Sequence, residues 1–265
     1  HIPADNASAA TGERNTMNGE KSRLAAWGLR IAILGLVILA LGILAQRFEL
    51  VHFRLALMGL AGGAAIGLIG AVISAIALVI SLVSSRSGVR SAIAGLVIGL
   101  LVAAPVGQAM IAGSKVPAIH DITTDLASPP AFDAVIALRG EDANPLDRAE
   151  PADLAELQQQ AYPDLKTLEV SEQPGKAYEA ALETAREMGW EIVSSNPEAG
   201  LIEATATTRI MNFKDDVAIR VSESGEGAAV DVRSVSRVGI SDMGANANRI
   251  RTYLYALRAK LGVEG

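Results

Sequence analysis

The 265-residue chain contains no cysteine. That excludes a disulfide scaffold, thiol catalysis and thiolate metal sites. Histidine is scarce, with His1, His52 and His120 the only three. No GxSxG elbow is present, which removes the commonest sequence sign of a serine hydrolase. The interiors of the long apolar runs hold no Asp, Glu, Lys or His, which argues against a transporter, a proton relay or a voltage sensor.

What is present divides in two. Three apolar runs, Leu24–Ala45, Leu55–Val83 and Ser91–Ala112, fill the first 112 residues. A hydrocarbon core of about 30 Å takes roughly 20 residues of helix, and in lipid each backbone amide must bond within its own segment. The runs therefore predict three membrane helices. Arg30 lies near enough to the start of the first to snorkel beside Trp27. The second is long enough to need tilt, and Pro105 is expected to kink the third. A cleaved signal peptide fails for the first run on length and for want of a small-residue cleavage site. Met17 reads as a natural start, and residues 1–23 as a disordered cytoplasmic tail.

Orientation follows from Lys and Arg. Arg14, Lys21, Arg23 and Arg30 flank the first run, and Arg86 and Arg90 occupy the second short loop; the opposite side has Arg47, Arg54 and Lys115. The positive-inside rule then puts the amino terminus in the cytoplasm and residues beyond 115 in a periplasm-like space across the inner membrane. Small residues stripe the runs: Gly28, Gly35 and Gly42; Gly59, Gly63, Gly67 and Gly70; Gly95 and Gly99. Such stripes allow close approach of helix backbones. Two readings stand: the three helices pack on one another, or a stripe docks a partner helix.

Charge is equally divided. Residues 1–115 carry nine Lys+Arg against four Asp+Glu, a net of +5; residues 116–265 carry fourteen against twenty-five, a net of −11. An acidic outer segment is a poor match for nucleic acid or an anionic surface and suits a cationic partner or simply solubility. Its length is enough for one domain with its own core.

Residues 113–173 read as an extended, Pro-rich segment, with a short helix over Pro151–Gln160 capped near Asp153. From Pro174 the pattern sharpens into a core over 174–265. Pro174–Met188 has helical spacing and ends at Gly189. Four strand-like runs follow, Trp190–Ser194, Leu201–Thr208, Asp216–Ser222 and Ala228–Val235, with SGEG as a hairpin turn. Met243–Leu261 closes the chain as a helix capped by Ser241 or Asp242. The expected architecture is a three-helix membrane anchor plus an α+β domain, with a four-stranded antiparallel sheet and both main helices on one face. Alternation along the strands collects Glu203, Thr205, Thr207, Asp216, Arg220, Asp231, Arg233 and Arg237 on the other face. That face is either solvated, with cross-strand ion pairs, or a polar groove covered by residues 116–140.

The motifs IHDITTD (Ile119–Asp125), PPAF (Pro129–Phe132), YPDL (Tyr162–Leu165), GW (Gly189-Trp190), IEATATT (Ile202–Thr208), FKDDVAIRV (Phe213–Val221) and VDVRSVSRVGISDMGANANRI (Val230–Ile250) resemble the membrane-associated family called domain of unknown function 1499. The resemblance runs from Val116 to about Leu261. It implies a domain carried behind membrane helices in bacteria and photosynthetic lineages, and it brings no activity with it.

Candidate chemistry is thin. His120, Asp121 and Asp125 suggest a metal or acid–base group, but the other histidines lie in the tail and at the membrane edge. Ser234, Ser236 and Ser241 would need His120 as a distant base. A Glu203/Asp216 carboxylate pair for glycoside cleavage is opposed by Arg220 as a structural partner. A richer constellation is Asp215, Asp216, Arg220, Arg233, Ser234, Ser236, Arg237, Asp242, Asn246 and Arg249. It leads into the start of the last helix, where arginines and a helix amino terminus suit a small anion. The competing reading is that Asp216 and Asp242 neutralise the arginines. The expectation is therefore a non-enzymatic accessory or scaffold subunit without metal or cofactor. Its partners would be membrane lipids and other integral membrane proteins, conceivably of a photosynthetic or respiratory complex, and not nucleic acid. A lipid- or anion-binding module and a cryptic hydrolase are the alternatives.

Overall fold

The computed structural model describes residues 22–84, 87–149 and 151–263. The tail expectation for residues 1–21, with Arg14 and Lys21, and the placing of Arg86 fall outside them. The chain divides into two compact units, His1–Val37 with Gly62–Ala103 and Ile38–Ala61 with Ala104–Gly265.

Three helices dominate the apolar part: α1 (Arg23–Arg47), α2 (Phe53–Val83) and α3 (Val89–Gly113). All three are long and apolar enough to cross a membrane. Helix α3 continues past Pro105. In the first unit, small residues sit between the helices while many Leu, Ile and Val side chains face outward. A methyl added at Gly35 would lie 2.5 Å from the Gly67 amide nitrogen and 2.7 Å from the Gly63 carbonyl. Methyls at Gly28 and Gly95 would both strike the buried Ser74 hydroxyl, and one at Gly99 would meet Ala71 Cβ at 2.8 Å. Gly67 faces Val102, and Gly70 faces Ala32. Close backbone approach of this kind is how helices associate where the surroundings are as apolar as their side chains. Arg30 lies over the Trp27 ring, 5.4 Å from its centroid.

The second unit contains the α+β domain and the adjoining helix ends, where a methyl added at Gly59 would lie 3.3 Å from the Gly42 Cα. Its sheet has six strands rather than four: β1 (Asp121–Thr123), β2 (Leu168–Val170), β3 (Glu191–Asn196), β4 (Leu201–Thr207), β5 (Lys214–Ser224) and β6 (Gly227–Ser236). The order is β1-β6-β5-β4-β3, all antiparallel, with β2 also on β6. The two added strands have three residues each and lie end to end along the outer edge of β6, β1 against Arg233–Val235 and β2 against Ala228–Val230. Three residues show no periodicity, so the sequence reads as irregular there. They pair because the edge of β6 offers amides and carbonyls that would otherwise stay unbonded.

Helices α5 (Pro174–Glu187) and α6 (Ala245–Leu261) pack on each other and on the sheet. The core between them holds Ile202, Val217, Ile219, Val230, Val232, Ile250 and Leu257. Tyr253 is fully buried in it, stacked on Trp190 at 5.0 Å and donating its hydroxyl proton to the Ala181 carbonyl. Helix α4 (Leu154–Ala161) starts three residues later than expected, and Asp153 makes no side-chain cap bond. Helix α6 is capped by displacement. Gly244 holds the N-cap position at φ +83°, while the Asp242 carboxylate accepts the amides of Gly244 and Asn246.

Candidate functional site: a closed layer of paired charge

The polar sheet face is not solvated. Residues 121–149 cross it as a strap, and Glu203, Thr205, Asp216, Asp231 and Arg233 are all buried beneath it. The covering segment extends further than the expected 116–140, because Arg139, Asn144 and Arg148 all bond to the sheet or its edge. Thr207, at the end of β4, remains exposed.

Each charge beneath the strap has a partner. Asp216 receives Arg237, Nη2 to Oδ1 at 2.7 Å, together with Arg139 and the Thr205 hydroxyl. Asp121 receives Arg233 at 2.7 Å and Arg148. Arg220 bridges Asp125 and Asp231, at 2.8 Å from each. Asp231 also accepts the hydroxyls of Thr124 and Thr167. The Glu203 carboxylate has no arginine; it accepts three consecutive backbone amides, Asp133, Ala134 and Val135, at the start of a 3₁₀ turn over Ala134–Leu138. The arginines then reach back to the strap. Arg233 donates to the Pro130 and Leu146 carbonyls, Arg237 to Leu138 and Arg220 to Ser128. Phe132 lies 5.0 Å from the Arg233 guanidinium. Isolated charges cannot be kept in such a place, so pairing is what permits burial.

The charges leave their mark on acidity. Burial pushes the Asp125 carboxyl up, but the Ser128 amide, the Arg220 guanidinium and the Ala127 amide outweigh it and hold the group below its ordinary value. Burial draws the guanidinium groups of Arg139 and Arg148 down, against the pull of Asp216 and Asp121.

The proposed constellation does not converge. Successive strand residues point to opposite faces, so Arg233 and Arg237 lie under the strap while Ser234 and Ser236 face the helices. There they form a second cluster. Asn246 accepts from the Ser234 hydroxyl at 2.7 Å and donates to Ser236 Oγ at 3.0 Å and to the His120 carbonyl at 2.9 Å. Arg249 is paired with Asp215 and also donates to Ser234. Asp242 neutralises none of the strap arginines. It caps α6, and its burial raises its carboxyl above the ordinary value despite the two amides.

His120, Asp121 and Asp125 likewise part company. The His120 ring nitrogen Nδ1 lies 3.3 Å from the Ile240 carbonyl, Asp121 is held by two arginines and Asp125 by Arg220. Among the described residues no three His, Asp or Glu side chains come together as a metal site. Two open grooves border the closed layer. One of about 490 Å³ is lined by Thr124, Gln158, Tyr162, Lys166 and others. One of about 270 Å³ is lined by Trp190, Thr207, Asn248, Arg249 and others. Sequence reasoning missed Arg139, Arg148, Thr124 and Thr167. The two arginines carried a signal: they are the only basic residues between Lys115 and Lys166.

The fold and this layer define a class of protein: three helices of membrane-spanning length followed by an α+β domain whose polar sheet face is sealed by a charged strap. The chain belongs to the family described as "Protein of unknown function (DUF1499)", whose model matches residues 121–257 from β1 into α6. No curated protein sequence matches the chain.

Proposed function

We propose that the protein is a non-enzymatic, membrane-anchored scaffold or accessory subunit whose acidic outer domain docks on a cationic surface of a larger membrane assembly. One observation carries this reading: the arginines of the polar layer and of the first turns of α6 are consumed inside the domain. Arg139, Arg148, Arg220, Arg233, Arg237 and Arg249 are each bound to a carboxylate. The surplus acid is therefore left on the outside. Glu169, Glu198, Glu223 and Glu226 are exposed around the end of the sheet where the β5–β6 turn lies; on the outer face of α5 Glu179 is exposed too, while Glu183 and Glu187 share the Lys260 ammonium at 2.9 Å. A surface of one sign steers a partner of the other.

In this reading the amino terminus is cytoplasmic and the α+β domain lies on the far side of the inner membrane. The test is extraction of native membranes in gentle detergent, then native-gel migration and mass spectrometry of what co-migrates. A stoichiometric membrane complex that dissociates at raised ionic strength is the expected result. Migration as a lone monomer or homo-oligomer overturns the proposal.

The small-anion alternative is less favoured, since every arginine assigned to it already holds a carboxylate. A hydrolase reading lacks a convergent nucleophile and base, because Ser234 and Ser236 meet Asn246 and Arg249 while the His120 ring faces a carbonyl.

A further inference from the structure

We propose that the end of the α+β domain carrying Ile210, Ile240 and Met243 rests in the interfacial layer of the bilayer that holds α1–α3, with these side chains against lipid. The proposal rests on reading α1–α3 as membrane spans, and it is independent of any docking partner.

Three loops meet at this end of the sheet: β4–β5, β6–α6 and the entry from α3 into β1. They expose Ile210 at 65%, Ile240 at 79% and Met243 at 55%. Elsewhere the domain keeps its large apolar side chains in the core, Ile136, Leu138 and Tyr255 apart. All three lie in one compact unit with the ends of the apolar helices, and Ile210 and Met243 are tied to those ends. Arg47, the last residue of α1, donates to the carbonyl of Arg209, next to Ile210, at 2.6 Å. Glu49, in the α1–α2 turn, lies 3.8 Å from the Lys214 ammonium at the start of β5. The Met243 side chain reaches to within 3.0 Å of where a methyl on Gly113, the last residue of α3, would stand.

The level of these loops follows from the contacts. The turn joining two spans must sit where hydrocarbon gives way to headgroups, because its unpaired backbone groups cannot remain in lipid. That turn exposes Phe48, Leu50 and Val51. The β4–β5 loop, held to the end of α1 by Arg47 and to this turn by the Glu49–Lys214 pair, shares its depth, and the β6–α6 loop meets the end of α3 at Met243. Their composition suits that depth: apolar tips beside Arg209 and Lys214, with Arg54 and Lys115 at the adjoining helix ends. Long basic side chains there extend their stems through the apolar layer and place their charges among lipid phosphates. A protein partner could cover the same residues, but lipid already surrounds the span ends to which these loops are bound.

The absence of cysteine gives a direct test. Single replacements Ile210→Cys and Ile240→Cys are made in the full-length chain and spin-labelled. The protein is reconstituted in vesicles of phosphatidylcholine with phosphatidylglycerol. Collision with oxygen, which concentrates in lipid, is compared with collision with a water-soluble nickel complex. Val79→Cys, exposed on α2, is the lipid reference, and Ser195→Cys, exposed on β3, is the water reference. The expected result is an oxygen-to-nickel ratio at 210 and 240 several-fold above that at 195 and below that at 79. A water-like ratio at 210 and 240 with a lipid-like one at 79 overturns the inference and leaves the spans standing. Labels at 210 and 240 shielded from both reagents show a protein contact and also overturn it. A water-like ratio at 79 overturns the spans and the inference together.

Discussion

Arg139 and Asp216 stand 77 positions apart in the chain and meet as an ion pair whose side chains are 6% and 0% exposed. Arg237, just past the end of β6, holds the same carboxylate. One buried acid thus locks the strap to β5 and β6.

Removing that acid leaves two guanidinium groups without a counter-charge in a dry layer. Asp216→Asn is expected to lower stability by about 3–5 kcal/mol, the usual cost of breaking a buried pair from one side. Arg139→Ala, which leaves Arg237 on the carboxylate, should cost clearly less. Denaturant unfolding of the full chain in detergent, followed by the fluorescence of buried Trp190, measures both. Equal losses would show that the two arginines do not share the charge.

Glu203 holds the strap by another route, through three amides of one 3₁₀ turn. Glu203→Ala should therefore free the strap locally before it unfolds the sheet. The amides of Ala134 and Val135 are expected to exchange with solvent at least tenfold faster, equivalent to about 1.4 kcal/mol, while those of Val217 and Ile219 stay protected. Hydrogen exchange read by mass spectrometry separates the two regions.

Acid should act in two stages of opposite sign. Asp242 is raised above its ordinary value of 3.8 by burial, so the folded state favours its neutral form. Stability from this group is absent at neutral pH and grows as pH falls through the raised value. Asp164, lowered mainly by its hydrogen bond from Arg251, and Asp125, lowered by amides and Arg220 against burial, act in reverse. Their contribution is present above 3.8 and is lost as pH falls through their depressed values. Melting midpoints between pH 7 and pH 2 should rise and then fall. Asp242→Asn should flatten the rise and leave the fall.

The apolar helices give a paired test. Gly35→Leu would force a side chain against the Gly63 and Gly67 backbone, whereas Gly107 has nothing within 4 Å of an added methyl. Overpacking of this kind costs about 1–3 kcal/mol or more. A drop in melting temperature for Gly35→Leu, with none for Gly107→Leu, is the expected outcome in detergent. Equal behaviour would mean that the α1–α2 approach is not what holds the helices.

Much of the fold was legible before any coordinate. The alternation of Val217, Ile219 and Val221 with Asp216, Ala218 and Arg220 marked β5 and its two faces, and α5 and α6 followed from apolar spacing. Strands β1 and β2 were not legible, since DIT and LEV are too short to show a period. The partners of the polar face were equally hidden. Arg139 and Arg148 sit in a stretch without periodicity, so nothing local says which carboxylate each will meet. The arginines and serines of the candidate constellation are divided for a reason that was legible: Arg233 and Ser234 are strand neighbours and must point apart.

The sequence by itself determined the three apolar helices, the order and faces of the main strands, and the division of charge between a basic first part and an acidic second. Each is a local property, written in run length, period or composition. Only the tertiary structure decided that the polar face is covered and that its arginines face inward to carboxylates rather than outward to a ligand. It alone brought Ile210 and Met243 to the ends of the apolar helices. Those outcomes depend on which distant segments share an edge or a charge, and such pairings are chosen by the whole fold through the cost of leaving a buried amide or ion without a partner.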